Sequence, residues 1–171
     1  MKRSIVLSLL FVAIATCSYA QRFALIDMEY ILKNIPSYNQ GMQQLEQTSK
    51  TYQTEVETAT NKAKDLYNQY QKQAKNLSET VKTQRENAIV AQEKSAAELR
   101  KNYFGPEGVL AKKREALLTP IQDKIYEAVK QLANAKGYAL VLDRASDSAV
   151  IFASPNIDIS DDVLARLGYS K

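Results

Sequence analysis

From Tyr38 to Asn76 the chain is polar apart from a thin recurring stripe: Leu45, Tyr52, Val56, Ala59, Ala63, Leu66, Tyr70, Ala74 and Leu77. Most steps are three or four residues, the spacing of a helix seam that packs on one partner helix. No Pro interrupts the stretch, and Ser49 stands where an apolar residue is due. So narrow a stripe predicts a helix covered on one side by one neighbour, not a globular core element. Leu77-Ser78-Glu79 is the candidate turn, with Ser78 as cap and Glu79 as a first-turn acid. A return helix over about 79–103 carries a weaker stripe of Val81, Ala88, Gln92, Ala96, Leu99 and Tyr103, and Gly105-Pro106 breaks it. A further helical run extends from about Glu107 to Lys136. Within it, Thr119-Pro120 predicts either a fresh start or a bend in one continuous helix. Its stripe of Ile121, Ile125, Val129 and Leu132 is denser, and Gly137 stops it.

The ends of the chain carry a different period. Arg22 to Met28 reads as a short buried strand, and Glu29 to Ile35 as a helical turn. Pro36 interrupts, and Ser37 is the expected cap of the long helix. Tyr138 to Leu142 is a clear strand, followed by a polar loop over 144–148 and a second strand over Ala149 to Ala153, which predicts a hairpin. Ser160 is the expected cap of a short helix from Asp161 to Leu167. Strands at the two ends share a sheet only if the helical middle folds back on itself. The fold class is therefore α+β. A small oligomeric β body (21–36 and 118–171) carries a long antiparallel α-helical coiled-coil hairpin (37–117).

A body of about 70 residues supplies only a few kcal/mol from one core, and its short sheet leaves edges open, so association between copies is expected. Leu25, Ile26, Leu140, Val141, Leu142 and Ile151 are the expected oligomer core, with Val141 near its centre. Periodicity alone gives no subunit number.

Residues 1–20 have the three-part form of an export signal. Lys2 and Arg3 are followed by an apolar run from Ile5 to Ala15 and by Ser18-Tyr19-Ala20, which predicts cleavage after Ala20. An uncleaved anchor is the alternative, as is lipidation of Cys17 in Ile14-Ala15-Thr16-Cys17. The chain after Ala20 has no cysteine, and the whole sequence has no histidine and no tryptophan. That composition removes His-based triads and the commonest metal ligands, so neither an enzyme nor a cofactor or metal site is expected. The full chain has 23 basic and 19 acidic residues, but both signs are interspersed, which argues against nucleic acid as a partner.

Several stretches carry a resemblance to a known family. They are Phe23-Ala24-Leu25-Ile26-Asp27-Met28 with Tyr30-Ile31-Leu32, Leu118-Thr119-Pro120-Ile121-Gln122-Asp123-Lys124-Ile125, Lys136 through Asp143, and Asp158 through Leu164. With the polar helical middle and the export signal, these resemble the Skp/OmpH family of periplasmic chaperones. The resemblance implies a jellyfish-like homotrimer whose helical arms enclose a cavity. It also implies that unfolded outer-membrane proteins are held there without ATP. Gly105-Pro106-Glu107-Gly108 departs from the best-known members and bears on how the arms bend. On this reading Tyr52, Tyr67, Tyr70 and Tyr103 are candidate client contacts, since an aromatic face with a polar tip touches apolar segments while staying wet. The alternative is that these rings fill the seam between the two helices. The mildly basic arm fits acidic clients and is compatible with weak membrane-surface contact. A structural coiled-coil module of the cell envelope, lipid-anchored through Cys17, is the competing reading.

Overall fold

The computed structural model describes residues 22–146 and 150–169. The export signal, its cleavage point, Cys17 and the start of the expected second hairpin strand lie outside the described residues. Elements follow in the order β1 (Arg22–Ile26), α1 (Met28–Lys33), α2 (Pro36–Gln73), a 3-10 turn (Ala74–Asn76), α3 (Glu79–Phe104), α4 (Val109–Lys136), β2 (Tyr138–Asp143), a second 3-10 turn (Pro155–Ile157) and α5 (Ser160–Arg166). They divide into a sheet unit, residues up to Asn34 together with Ile125 onward, and a helical unit, Ile35–Lys124. No helix among the described residues is long and apolar enough to cross a membrane.

In the helical unit, all nine predicted stripe positions, seven in α2 with Ala74 and Leu77 just beyond its end, are buried or half-buried, with Val56 and Ala63 deepest. The stripe faces α3. On α3 the buried positions are Ile89 and Ala96. Ala88, expected in the seam, is exposed, and Ile89 takes its place. The α3 seam runs through Val81, Arg85, Ile89, Gln92, Ala96, Leu99 and Tyr103 in steps of four and three, so one cationic member, Arg85, hid the register. The Arg85 guanidinium satisfies itself across the pair, donating to Gln73 Oε1 at 2.5 Å. The threonines of α2 fit a helix because their hydroxyls bond back to carbonyls one turn earlier, as Thr54 does to Lys50 at 3.0 Å.

Helix ends depart from the expectations in detail. α2 starts one residue before Ser37: Ile35 occupies the cap position with no side-chain bond, and Pro36 takes the first helical position, where its missing N–H costs nothing. Ser78 does cap α3 by position, although its side chain makes no capping bond. α4 is continuous through Pro120, the second of the two alternatives.

The sheet is the main correction. β2 does not turn back into a hairpin; it pairs with β1, in parallel, with Phe23 opposite Leu140, Ala24 opposite Val141 and Leu25 opposite Leu142. Val150 to Ala153 forms no strand. A lone two-stranded hairpin is marginal in water and needs a covered face. β1, with Ala24, Leu25 and Ile26 buried, offers β2 a covered partner, while Ile151 and Phe152 stay 97% and 85% exposed. The sheet unit is centred on Ile31, Ile125 and Val163, each fully buried.

Candidate functional site

Where β1 gives way to α1, polar side chains tie four segments of the sheet unit together. Asp27 caps α1: its Oδ1 accepts from the Tyr30 N–H at 2.8 Å. Its Oδ2 accepts from Arg144 Nε and Nη2 at 3.1 and 3.0 Å. The Asp27 N–H donates to the Ser160 hydroxyl at 2.8 Å, and that hydroxyl donates to Asp158 Oδ1 at 2.6 Å. Ser160 is therefore a buried tie to β1 rather than the expected cap of α5, whose cap position is Ile159. Asp143 Oδ1 accepts from the Met28 N–H at 3.0 Å, joining the end of β2 to the start of α1. The Tyr30 N–H holds the Asp27 carboxyl below its ordinary value of 3.8; burial pushes the other way, and Arg144 adds to the lowering. The cluster pins the C-terminal ends of β1 and β2 side by side, and every carboxylate in it has a structural partner.

Side chains paired across a parallel ladder share a face. Phe23, Leu140 and Leu142 lie on one face of the two strands and are 50%, 46% and 37% exposed. Leu25, on the same face, is covered, as is Ile26 on the other; Val141 is half-buried. Of the six residues expected to form the oligomer core, two are thus buried within the chain, one is half-buried, and Leu140, Leu142 and Ile151 are open in a single copy. Sequence reading missed Phe23 and Phe152 as members of this open apolar set. It also did not single out Ile31 and Val163, although both lie in apolar runs beside short polar segments.

The four tyrosines divide unequally. Tyr52 and Tyr103 stack across the α2–α3 seam, with ring centroids 3.9 Å apart and planes 7° from parallel. The Tyr103 hydroxyl donates to Glu55 Oε2 at 2.5 Å, and the Tyr70 hydroxyl donates to Glu86 Oε1. Each bond to a carboxylate pushes its phenol above the ordinary 10.0. Tyr67 is different: it is 46% exposed and lines a groove on the helix pair, and among the described residues its hydroxyl accepts from Gln71 alone, 2.7 Å away.

The sequence matches the family of outer membrane proteins termed OmpH-like over residues 22–167. The chain belongs to the OmpH-like family. No curated protein matches this OmpH-like chain. Among solved structures, it is similar to the crystal structure of a candidate outer membrane chaperone (OmpH-like) from Caulobacter crescentus CB15, with a TM-score of 0.66 at 14% identity. The likeness covers 86% of this chain and 83% of that one, so the OmpH-like fold extends over both the helical and the sheet units.

Proposed function

We propose that this protein is an ATP-independent holdase of the periplasm that keeps unfolded outer-membrane proteins soluble between helical arms. The observation that carries the reading is membership of the OmpH-like family across residues 22–167. The similar Caulobacter structure, a candidate outer membrane chaperone, supports it. Export by the N-terminal signal, with cleavage after Ala20, brings the chain to that compartment.

A holdase of this kind needs several arms around one space. The open apolar face of Phe23, Leu140 and Leu142, with Ile151 and Phe152 beyond it in sequence, supports assembly of copies through the strands, as a homotrimer. The outer edge of β2 and this face are the surfaces a second chain would cover. Leu25, Ile26 and Val141 then brace the strands from within each copy. Tyr67 is the client-contact candidate with an open ring; Tyr52, Tyr70 and Tyr103 contribute by setting the spacing of the two helices.

The test is dilution of a urea-unfolded outer-membrane β-barrel protein into the purified mature protein without ATP, with mass read by light scattering. A soluble complex of one oligomer with client is the expected result, and its mass gives the subunit number. Client aggregation at the control rate beside an intact oligomer would move the reading to an envelope scaffold.

A further inference from the structure

Two exposed rings and three cations of the arm meet at one groove. Ala63 and Ala96 form the floor of a groove of 740 Å³ on the α2–α3 pair, which Ala97 also lines. Small side chains let the two helices approach closely there, and both Ala63 and Ala96 are buried. Tyr67 and Phe104 also line it, 46% and 43% exposed. Three other rings of the pair are engaged, Tyr52 with Tyr103 and Tyr70 with Glu86. Three cations line the groove, Lys64, Arg100 and Lys101, and none forms an ion pair among the described residues; the same holds for Lys62, Lys72 and Lys94 elsewhere on the pair, so what sets the groove's cations apart is the exposed rings beside them. Glu93, the one carboxylate of the lining, reaches none of them.

We infer that this groove is a subsite for an extended client segment in which aromatic side chains alternate with carboxylates. The inference rests on the holdase reading and names what the arm takes hold of. The rings insert over the alanine floor against Tyr67 and Phe104, while flanking carboxylates meet Lys64 and Arg100. The lining is net cationic, with three cations against Glu93, and its concave course along the helix pair admits a single extended polypeptide more closely than a flat lipid surface. Because Gln71 donates to the Tyr67 oxygen, the phenol proton is left to donate to a bound carboxylate.

The experiment uses the full oligomer and a fluorescein-labelled unstructured peptide rich in Phe and Asp, beside the same peptide with Lys for Asp, read by anisotropy. Lys64→Glu with Arg100→Glu should weaken the acidic peptide about tenfold or more, as for reversed charge pairs at a contact. Tyr67→Ala should weaken it about threefold, as expected for one aromatic contact. All three positions are exposed, so folding should be retained, and circular dichroism checks this. Equal binding of both peptides by the wild type would overturn the inference, as would unchanged affinity in the charge-reversed variant. So would charge-dependent sedimentation with phosphatidylglycerol vesicles while peptide affinity stays fixed, which would assign the groove to lipid. The two readings fail separately. Groove-dependent peptide binding by a protein that does not keep a β-barrel client soluble sinks the holdase and keeps the subsite. Client retention with no groove dependence does the reverse.

Discussion

Asp27 offers a perturbation whose two effects can be separated. Asp27→Ala removes the cap of α1, worth about 0.5–2 kcal/mol. It also removes the forked contact with Arg144. With Asp27 22% and Arg144 47% exposed at the side chain, water screens that pair, and about 1 kcal/mol is the appropriate scale. The alanine variant should therefore lose about 2 kcal/mol in all, and Asp27→Asn, which caps as well as aspartate, about half of that. In an Arg144→Ala background the asparagine change should cost almost nothing, because its partner is already gone. The assay is urea unfolding with hydrogen exchange read on the peptide spanning residues 22–34, at one protomer concentration because assembly is linked to stability. The sign with pH is fixed. The folded carboxyl titrates below its ordinary 3.8, so its stabilisation is complete above that value and fades as pH falls through the folded value. The gap between wild type and Asp27→Ala should close in acid. Equal losses for Asn and Ala at neutral pH would refute the capping role. An undiminished asparagine effect without Arg144 would refute the ion pair.

Other expectations follow from single contacts. Leu140→Asp changes an exposed residue of the lone chain, so helix content should persist while light scattering shows dissociated protomers; an unchanged mass would remove this face from the assembly surface. Val141→Asp, half-buried, should damage the fold and the oligomer together. Gly108→Ala would set a Cβ 2.9 Å from the backbone carbonyl oxygens of Asn102, Tyr103 and Gly105, and backbone cannot step aside. A loss of about 1–3 kcal/mol in urea unfolding is expected. Gly41→Ala meets the methyls and branch carbon of the Leu117 side chain rather than backbone; that side chain must shift, but the cost should be smaller, since alanine gains about 1 kcal/mol of helix propensity. Absorbance at 295 nm should show two phenols titrating above 10.0, with Glu86→Ala bringing Tyr70 back. Those two hydrogen bonds support the fold below 10.0 and are lost as pH rises through the shifted values.

The helices were legible because their signals are local. Periodicity placed every seam position of α2, and the turn at Leu77-Ser78 and the break at Gly105-Pro106 were read from capping chemistry and Pro alone. The α3 register slipped by one residue at Ala88 because Arg85, a long cation able to reach Gln73, occupies a seam position that hydrophobic patterning treats as polar. Strand pairing was legible only in part: the strands at the two ends do share a sheet, but the neighbour of β2 within it was not foreseen. Apolar runs at 138–142 and 149–153 look like a hairpin to any local rule, but which edge β2 chooses depends on β1, more than a hundred residues away. Among the site residues, Leu25 and Ile26 differ from Leu140 and Leu142 only in what covers them, and cover is a tertiary property. The free cations of the groove were equally hidden, since Lys64 and Arg100 are ordinary surface residues until the fold shows that no acid reaches them.

The parallel pairing of β1 with β2 also orders events in time. Tyr70 meets Glu86 across 16 residues of chain, whereas Asp27 meets Arg144 across 117. Closing the longer loop first costs about 2 kcal/mol more in chain entropy. The helix pair therefore zips early, and its zipping shortens the distance that the first strand must search. During synthesis β1 waits for a partner strand made more than a hundred residues later. Until then Phe23, Leu25 and Ile26 are an apolar segment without the strand that will lie beside it.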